Sequence, residues 1–530
     1  MPTLRVLSWN LRTFALYEES GDDLLSMAKV LQRSGADIVA LQEIQIGKSV
    51  PNRIGAKLSF ASHMQVARLA ELLGALDRDA GWRWTLSGAS KGYGRAMRDG
   101  YAYLWKQAAA NGQMSIDLLS PPEILDIDCG AWSSRRPALA TFLLSSGKTW
   151  LPLNVISYHA RLPDGRTKSS TDEVKGVEQL ARLPEVGGGV WRRDGRTLPT
   201  YWPDFAPLPT LDTIVLGDFN CKMDAPVADA AYKSLLTHYT ACVSWPGTPT
   251  RAARTVTTMY GRDRDGAPEQ RSAYDNIFVL NSHANGFVAK CQYSAPAPGA
   301  PPTSDAIDII EDELQALGPH VVNADRGAWR QWVFNRVYAT QKGGSGLSDH
   351  LPVWADITLQ FPDATSAPRP VLTSNEDGNS LFHAVEGLSF GDSPHFTSKA
   401  AELRKQVVKE LKGYEQDKRF PSSAIQQWVF AAMQLRLRDS VEAIHLGPTV
   451  DTTQNLFLDA GFRSAYTRYL RLLNQGAMVL PEAGLVAFVL KANLNVWSVG
   501  AATPTAYSFG GTTPQAVNIY ANNRQFWWCR

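Results

Sequence analysis

The chain has 530 residues, 44% of them hydrophobic and 20% charged, with 53 basic side chains against 51 acidic ones. That balance suits a globular chain with a sizeable buried core and excludes a disordered, collagenous or coiled-coil protein. A net charge of +2 argues against strong non-specific attraction to nucleic acid, while leaving room for a local basic groove.

In chain order, Leu4–Trp9 reads as an apolar strand, Leu24–Leu31 has helical spacing, and Ala36–Leu41 is a second apolar strand. Further strands are predicted at Tyr101–Trp105, Ala138–Leu143, Leu151–Tyr158, Thr213–Leu216, Asn276–Leu280 and Val353–Leu359. Strands mixed with helices over this length predict an α/β or α+β layered fold. Ser294–Thr303, rich in Pro and Ala, reads as an exposed loop, and residues 361–370 as a linker between a domain at 1–360 and another at 371–530. Beyond the linker, helices are predicted at Ala400–Leu411, Ser423–Leu437, Ala465–Leu473 and Glu482–Leu490, then strands at Asn495–Val499 and Ala516–Tyr520. No internal repeat is visible, and no apolar run reaches the ~18–20 residues of a membrane span. Five scattered cysteines (Cys129, Cys221, Cys242, Cys291, Cys529) form no CxxC pair. They read as reduced thiols in a cytoplasmic protein, or in one exported without a classical signal peptide.

Five segments place polar residues at the ends of apolar strands: Ser8-Trp9-Asn10, Leu41-Gln42-Glu43, Ser157-Tyr158-His159, Gly217-Asp218-Phe219-Asn220 and Ser348-Asp349-His350. Strands ending this way can bring all these groups to one rim of a sheet sandwich. Each segment alone is an ordinary turn or strand entry; the ordered set is specific.

In that order the segments resemble the endonuclease/exonuclease/phosphatase superfamily, with a DNase-I-like fold, over roughly residues 3–360. The resemblance implies a two-sheet α/β sandwich with its site at one sheet edge, and a metal-dependent phosphodiesterase or phosphomonoesterase. A divalent cation, Mg²⁺ or alternatively Mn²⁺, would neutralise phosphate charge and stabilise the leaving oxygen. Oxygen donors suit it, so Glu43, Asn10 and Asp349 are the candidate ligands. Asp218 fits a base or water-orienting role, Asn220 a donor to phosphate, and His159 and His350 phosphate donors or proton carriers. Asp99 falls where nuclease-type members carry the acid of the first histidine, and Asp275 where they carry that of the last. Arg135, in Ser134-Arg135-Arg136-Pro137-Ala138, matches the family's phosphate-contacting arginine.

Within that family, Ala273-Tyr274-Asp275-Asn276 departs from the Trp-Cys-Asp-Arg signature of phosphoinositide 5-phosphatases and resembles secreted DNases. Yet Gln45 stands where those DNases carry an arginine and abasic-site nucleases a lysine. Two basic, aromatic-interleaved stretches offer another nucleic-acid surface: Trp191, Arg192, Arg193, Arg196, Tyr201 and Trp202, and Arg251, Arg254, Arg262, Arg264 and Arg271. The expectation is a nuclease, with a lipid-directed phosphatase or sphingomyelinase-like enzyme as the alternative.

In the last 160 residues, Asp377-Gly378-Asn379-Ser380-Leu381-Phe382 feeds a polar residue into a helix start. It resembles the nucleophile motif of ovarian-tumour (OTU) deubiquitinases, over roughly residues 371–530. The resemblance places Ser380 at the cysteine position and Gln525 at the histidine position, and no histidine follows His445. A serine without a base is too weak a nucleophile at neutral pH. The expectation is a smaller mixed α/β, OTU-like pseudoenzyme domain that binds a protein partner or regulates the first domain, in a toxin, effector or defence protein.

Overall fold

The apolar run at Leu4–Trp9 extends into a strand from Thr3 to Phe14 in the computed structural model. The structure describes residues 1–15, 21–46, 50–51, 57–58, 61–90, 99–109, 112–125, 135–160, 171–181, 183, 185–186, 192–193, 196–197, 211–221, 232–243, 257–262, 268–283, 288–297, 299–316, 318, 328–329, 347–362, 368–371, 380–385, 396–437, 456–475, 478–498, 503–507, 516–522 and 525–529. The chain divides into two units: Met1–Asp117, Pro122–Gly187 and Asp212–Pro362 form the first, and Leu118–Pro121, Gly188–Leu211 and Asp363–Arg530 the second.

In the first unit, Thr3–Phe14 pairs antiparallel with Val353–Leu359 and parallel with Ile38–Gln45. The helix Gly21–Ser34 connects the parallel pair and buries Leu24, Met27, Ala28 and Leu31 in one core with Leu7, Trp9 and Val39. It stops where Gly35 takes a φ of 68°, a left-handed turn that glycine adopts without strain. Asp99–Lys106 and Trp82–Leu86 extend the sheet on one side, Cys291–Gln292 and Ser304–Ala306 on the other. A second sheet runs in the order Tyr239–Ala241, Asp275–Leu280, Asp212–Asp218, Thr149–His159, Ala138–Ser146, Ser115–Ile124. It too is built on one parallel pair, Asp212–Asp218 beside Thr149–His159.

The sheets face each other. Phe142 packs on Tyr103 and Trp105 with ring centroids 6.3 and 5.6 Å apart, and the Gln42 amide donates to Ser157 Oγ at 2.8 Å. Helix Thr171–Leu180 buries Val177 and Leu180 with Ile156, Val215 and Phe278 of the second sheet. The result is a helix–sheet–sheet–helix sandwich. Thr149–His159 and Asp212–Asp218 are buried along nearly their whole length, which is why they read as continuous apolar runs. Ser115–Ile124 escapes the pattern because Pro121 and Pro122 interrupt it; at a sheet edge proline is tolerated.

In the second unit, helices Phe396–Asp417, Ser423–Leu437, Ala460–Gln475 and Glu482–Leu490 share a core that includes Leu411, Val429, Met433, Phe457, Tyr466 and Val486. Arg436 reaches buried Glu482 through two bonds of 2.6 and 2.7 Å. A four-stranded sheet follows the order Thr505–Tyr507, Leu494–Ser498, Val517–Asn522, Gln525–Trp528, with its central pair parallel. Cys221, Cys242, Cys291 and Cys529 are buried thiols without a disulfide among the described residues; Cys129 lies outside them. No helix among the described residues is long and apolar enough to cross a membrane.

Candidate active site

Strand register assembles the site. Asp218 ends its strand opposite His159 on the parallel side and opposite Asp275 on the antiparallel side. The preceding Gly217 has a φ of 143°, and a Cβ there would lie 1.9 Å from the Tyr158 carbonyl oxygen. Only glycine lets the strands approach so closely at this point. On the other sheet, Ile38–Gln45 carries one residue more than its partner between the pairs Leu41↔Ala102 and Ile44↔Gly100. This bulge re-aims the chain, and Glu43 within it adopts a left-handed φ of 59°. Asn220 is likewise left-handed at 47°.

Asn10 joins the two sheets: its Nδ2 donates to Glu43 Oε1 at 3.2 Å and to Asp218 Oδ2 at 3.0 Å. Asp218 Oδ2 also accepts the Asn220 amide at 3.1 Å, while its Oδ1 accepts the Asn220 backbone N–H at 2.9 Å. His159 Nε2 lies 3.5 Å from both Glu43 Oε1 and Asp218 Oδ2. From the other side His350 Nε2 comes within 3.7 Å of Asp218, and its Nδ1 is hydrogen-bonded to Asp275 Oδ2 at 2.8 Å. Asp99 stands 3.9 Å from His159 Nδ1 and binds Arg135 Nε more closely, at 3.0 Å. Arg135 Nη1 in turn contacts His159 Nε2 and donates to the Ala160 carbonyl at 3.0 Å. Asp349 pairs with Arg12 at 3.2 Å.

Burial sets the electrostatics. It pushes the Asp218 carboxyl up to about 6, against the pull of the neighbouring His350 charge. Glu43 is raised by burial too, with Arg135 opposing. His159 is held well below the ordinary imidazole range by burial and then by the charges of Arg135 and His350. His350 goes the other way. Burial lowers it, but Asp275 and Asp218 outweigh burial and hold it well above that range. The two histidines that flank Asp218 are therefore shifted in opposite directions, burial and cationic neighbours favouring the neutral form of His159 and carboxylates the protonated form of His350.

Several supporting residues were not singled out by sequence. Ser348 Oγ donates to the Asn10 carbonyl and accepts the His350 N–H at 3.0 Å. Tyr101 OH donates to the Arg136 carbonyl at 2.8 Å and accepts the His159 N–H at 3.2 Å. Thr257 Oγ1 accepts the N–H groups of Tyr274 and Asp275 at 3.0 and 2.9 Å. Gln45, placed by sequence only as a missing DNA contact, is buried and donates to Asp99 Oδ1 at 2.8 Å. The one available signal was a polar residue beside a motif residue in a buried strand. Of the basic stretches, Trp191, Tyr201, Trp202, Arg251, Arg254 and Arg264 lie outside the described residues. In the second unit, Ser380 opens the short helix Ser380–Val385 and Gln525 opens the strand Gln525–Trp528, both buried; Asp377, Gly378 and Asn379 lie outside the described residues.

Among the described residues, Asp218, Asp275 and His350 offer ligand atoms within 4.8 Å of one another, a spacing that one metal ion could bridge.

Solved structures similar to the chain include a humanized TDP2 of D. rerio (13% identity, 67% of this chain and 99% of that one, TM-score 0.34). The human Nocturnin catalytic domain with bound sulfate matches at 14% identity over 68% of this chain and 95% of that one, TM-score 0.37. An endonuclease/exonuclease/phosphatase from Beutenbergia cavernae matches at 17% over 71% and 76%, TM-score 0.35. No curated protein matches the chain. The family model for the Endonuclease/Exonuclease/phosphatase family matches residues 7–350, a span that runs from the first sheet's opening strand to His350. The chain belongs to the endonuclease/exonuclease/phosphatase family.

Proposed function

We propose that residues 1–360 form a divalent-metal-dependent phosphodiesterase that hydrolyses nucleic acid. The observation that carries this reading is the placement of His159 and His350 on either side of the buried Asp218, their Nε2 atoms 3.5 and 3.7 Å from its Oδ2. Burial raises Asp218 and lowers His159, whereas Asp275 and Asp218 raise His350, and environments that push titratable groups apart divide acid from base. Asp218, oriented by Asn10 and Asn220, takes the proton of the attacking water. His350, held cationic against Asp275, donates to the phosphate oxygens as charge builds on them. His159, neutral, and Arg135 position the phosphate from the opposite side. Nucleic acid is preferred to phosphoinositide because Ala273-Tyr274-Asp275-Asn276 stands in place of Trp-Cys-Asp-Arg.

The residues fit a hard cation. Glu43 and Asp349 offer carboxylate oxygens and Asn10 an amide oxygen, the donor types that Mg²⁺ and Mn²⁺ prefer. Glu43, Asn10 and Asp349 are the proposed ligands of Mg²⁺ or Mn²⁺. Asp275 and His350 act as the hydrogen-bonded pair described above. A bound cation would supply charge neutralisation at the phosphate and stabilisation of the leaving oxygen.

Residues 371–530 are read as an OTU-like domain without isopeptidase chemistry that binds a protein partner. Support comes from the packing of the helix that Ser380 opens against the strand that Gln525 opens, and from the helix Glu482–Leu490 leading directly into the strand Leu494–Ser498.

The deciding experiment incubates the full chain with plasmid DNA, RNA and phosphoinositides, each with Mg²⁺ and with EDTA. Cleavage of DNA or RNA that EDTA stops is expected; cleavage of the lipid alone overturns the nucleic-acid assignment.

A further inference from the structure

Gln45 is the direct cross-strand partner of Asp99 and only 1% exposed. Its Nε2 donates to Asp99 Oδ1 at 2.8 Å, and its Oε1 is buried with no hydrogen-bond partner. The reverse amide orientation would set an oxygen against a carboxylate, so the donor must face Asp99. An apolar side chain of the same length would fill this space without leaving a buried carbonyl unpaired. The amide is therefore explained by what it does to Asp99. With Oδ1 fixed, Asp99 presents Oδ2 to Arg135 Nε at 3.0 Å, and the guanidinium is turned so that Nη1 reaches His159 and the Ala160 carbonyl. Arg135 keeps 23% of its side chain exposed, whereas Gln45 cannot reach a substrate.

We propose that Gln45 is a positioning residue that acts on the substrate phosphate through Asp99 and Arg135; this rests on the phosphodiesterase reading above. Gln45 then takes no part in binding the nucleic-acid backbone directly, and the position works from inside the fold.

The test is a double-mutant cycle on the full chain, with bis(4-nitrophenyl) phosphate and plasmid DNA as substrates in saturating Mg²⁺. Gln45→Met, similar in length and apolar, is expected to fold with a somewhat lower melting temperature, because Asp99 Oδ1 loses its donor, and to lower kcat/KM by about 10- to 10²-fold, the scale of a misplaced phosphate contact. On an Arg135→Ala background the same change is expected to cost less than about 2-fold, because its route is already cut. A purely structural role would give equal losses on both backgrounds. Should Gln45→Met not fold, Gln45→Asn keeps the amide one methylene short of Asp99 and enters the same cycle. Unchanged kcat/KM in a folded Gln45 variant, or a loss undiminished by Arg135→Ala, overturns the inference while the phosphodiesterase reading stands. A wild-type chain that hydrolyses neither substrate overturns both.

Discussion

Asn10 and Asp218 come from different sheets and meet through one hydrogen bond of 3.0 Å. That bond ties the sheet that carries Glu43 to the sheet that carries His159 and Asp275. The cleft is therefore a property of sheet packing, and local strand sequence alone does not create it. Because the groups are placed by buried strands, single side chains can be removed without dismantling the scaffold.

The first prediction uses that separation. His159→Ala, Asp218→Ala and His350→Ala are each expected to lower phosphodiester hydrolysis by about 10²–10⁴-fold, as loss of a positioned proton carrier or donor typically does. Circular-dichroism melting should show folded proteins. A variant that melts normally and turns over at near the wild-type rate removes that residue from the chemistry.

Metal dependence gives the second prediction. Glu43 is raised by burial and approached by Asn10 and His159, so a cation would compensate its charge. Glu43→Gln keeps the shape and deletes the charge. The Mg²⁺ concentration for half-maximal rate should rise by at least about tenfold, since outer partners alone are typically worth 10–100-fold in affinity. Titration of activity against Mg²⁺ measures this, and full turnover in excess EDTA would contradict it.

Much of this site was legible because its residues end apolar strands. Asn10, Glu43, His159 and Asp218 each follow a largely buried apolar run, and His350 stands just before the alternating strand Val353–Leu359; such runs are visible without knowledge of their partners. Register was not legible. That Asp218 stands between His159 and Asp275 depends on pairings across three strands far apart in the chain. The bulge at Glu43 depends on the length of Asp99–Lys106 as much as on its own strand. Gln45 shows the same limit: by sequence it is a missing basic contact, and only the cross-strand neighbour Asp99 explains an inward amide. The short edge strands Tyr239–Ala241 and Ser304–Ala306 carry too few residues for any period to show.

Backbone strain yields a third prediction. Gly217→Ala would place a methyl group 1.9 Å from the Tyr158 carbonyl oxygen at a φ of 143°. Neither strand can yield without breaking the pairing that aligns Asp218 with His159. A loss of several kcal/mol, about 3 or more, is expected, beyond the typical effect of a point change. Urea denaturation measures it, and a loss under about 1 kcal/mol would show that the strands can part cheaply.

The fourth prediction concerns pH in metal-free protein. Asp218 is 1% exposed and faces His159, His350, Asp275, Asn10 and Asn220. Burial moves its pKa from 3.8 to about 6. A carboxyl raised in the fold is favoured as the neutral acid. Its contribution to stability is full below the unfolded value of 3.8 and is lost as pH rises through about 6. Asp218→Asn never ionises, so its stability relative to wild type should improve between pH 4 and 6 and then level off, by on the order of 1–3 kcal/mol. Melting curves of both proteins in EDTA across pH 3.5–8 test this; a constant difference across that range would show that Asp218 ionises equally in both states.

The fifth prediction concerns the second unit. Ser380 opens a helix and is 1% exposed, with its Oγ unpaired by any hydrogen bond; Gln525 is 4% exposed at the start of its strand. An amide does not titrate, so nothing at position 525 can take a proton from a nucleophile. Ubiquitin chains are therefore expected to survive both the wild-type protein and Ser380→Cys, since sulfur restores the nucleophile and leaves the base missing. Ser380→Cys combined with Gln525→His rebuilds both members of the pair and is the variant in which cleavage is expected. Gel analysis of linked ubiquitin chains separates these cases. Cleavage by Ser380→Cys alone would mean that a different residue supplies the base, and the reading of position 525 as the lost histidine would fall with it.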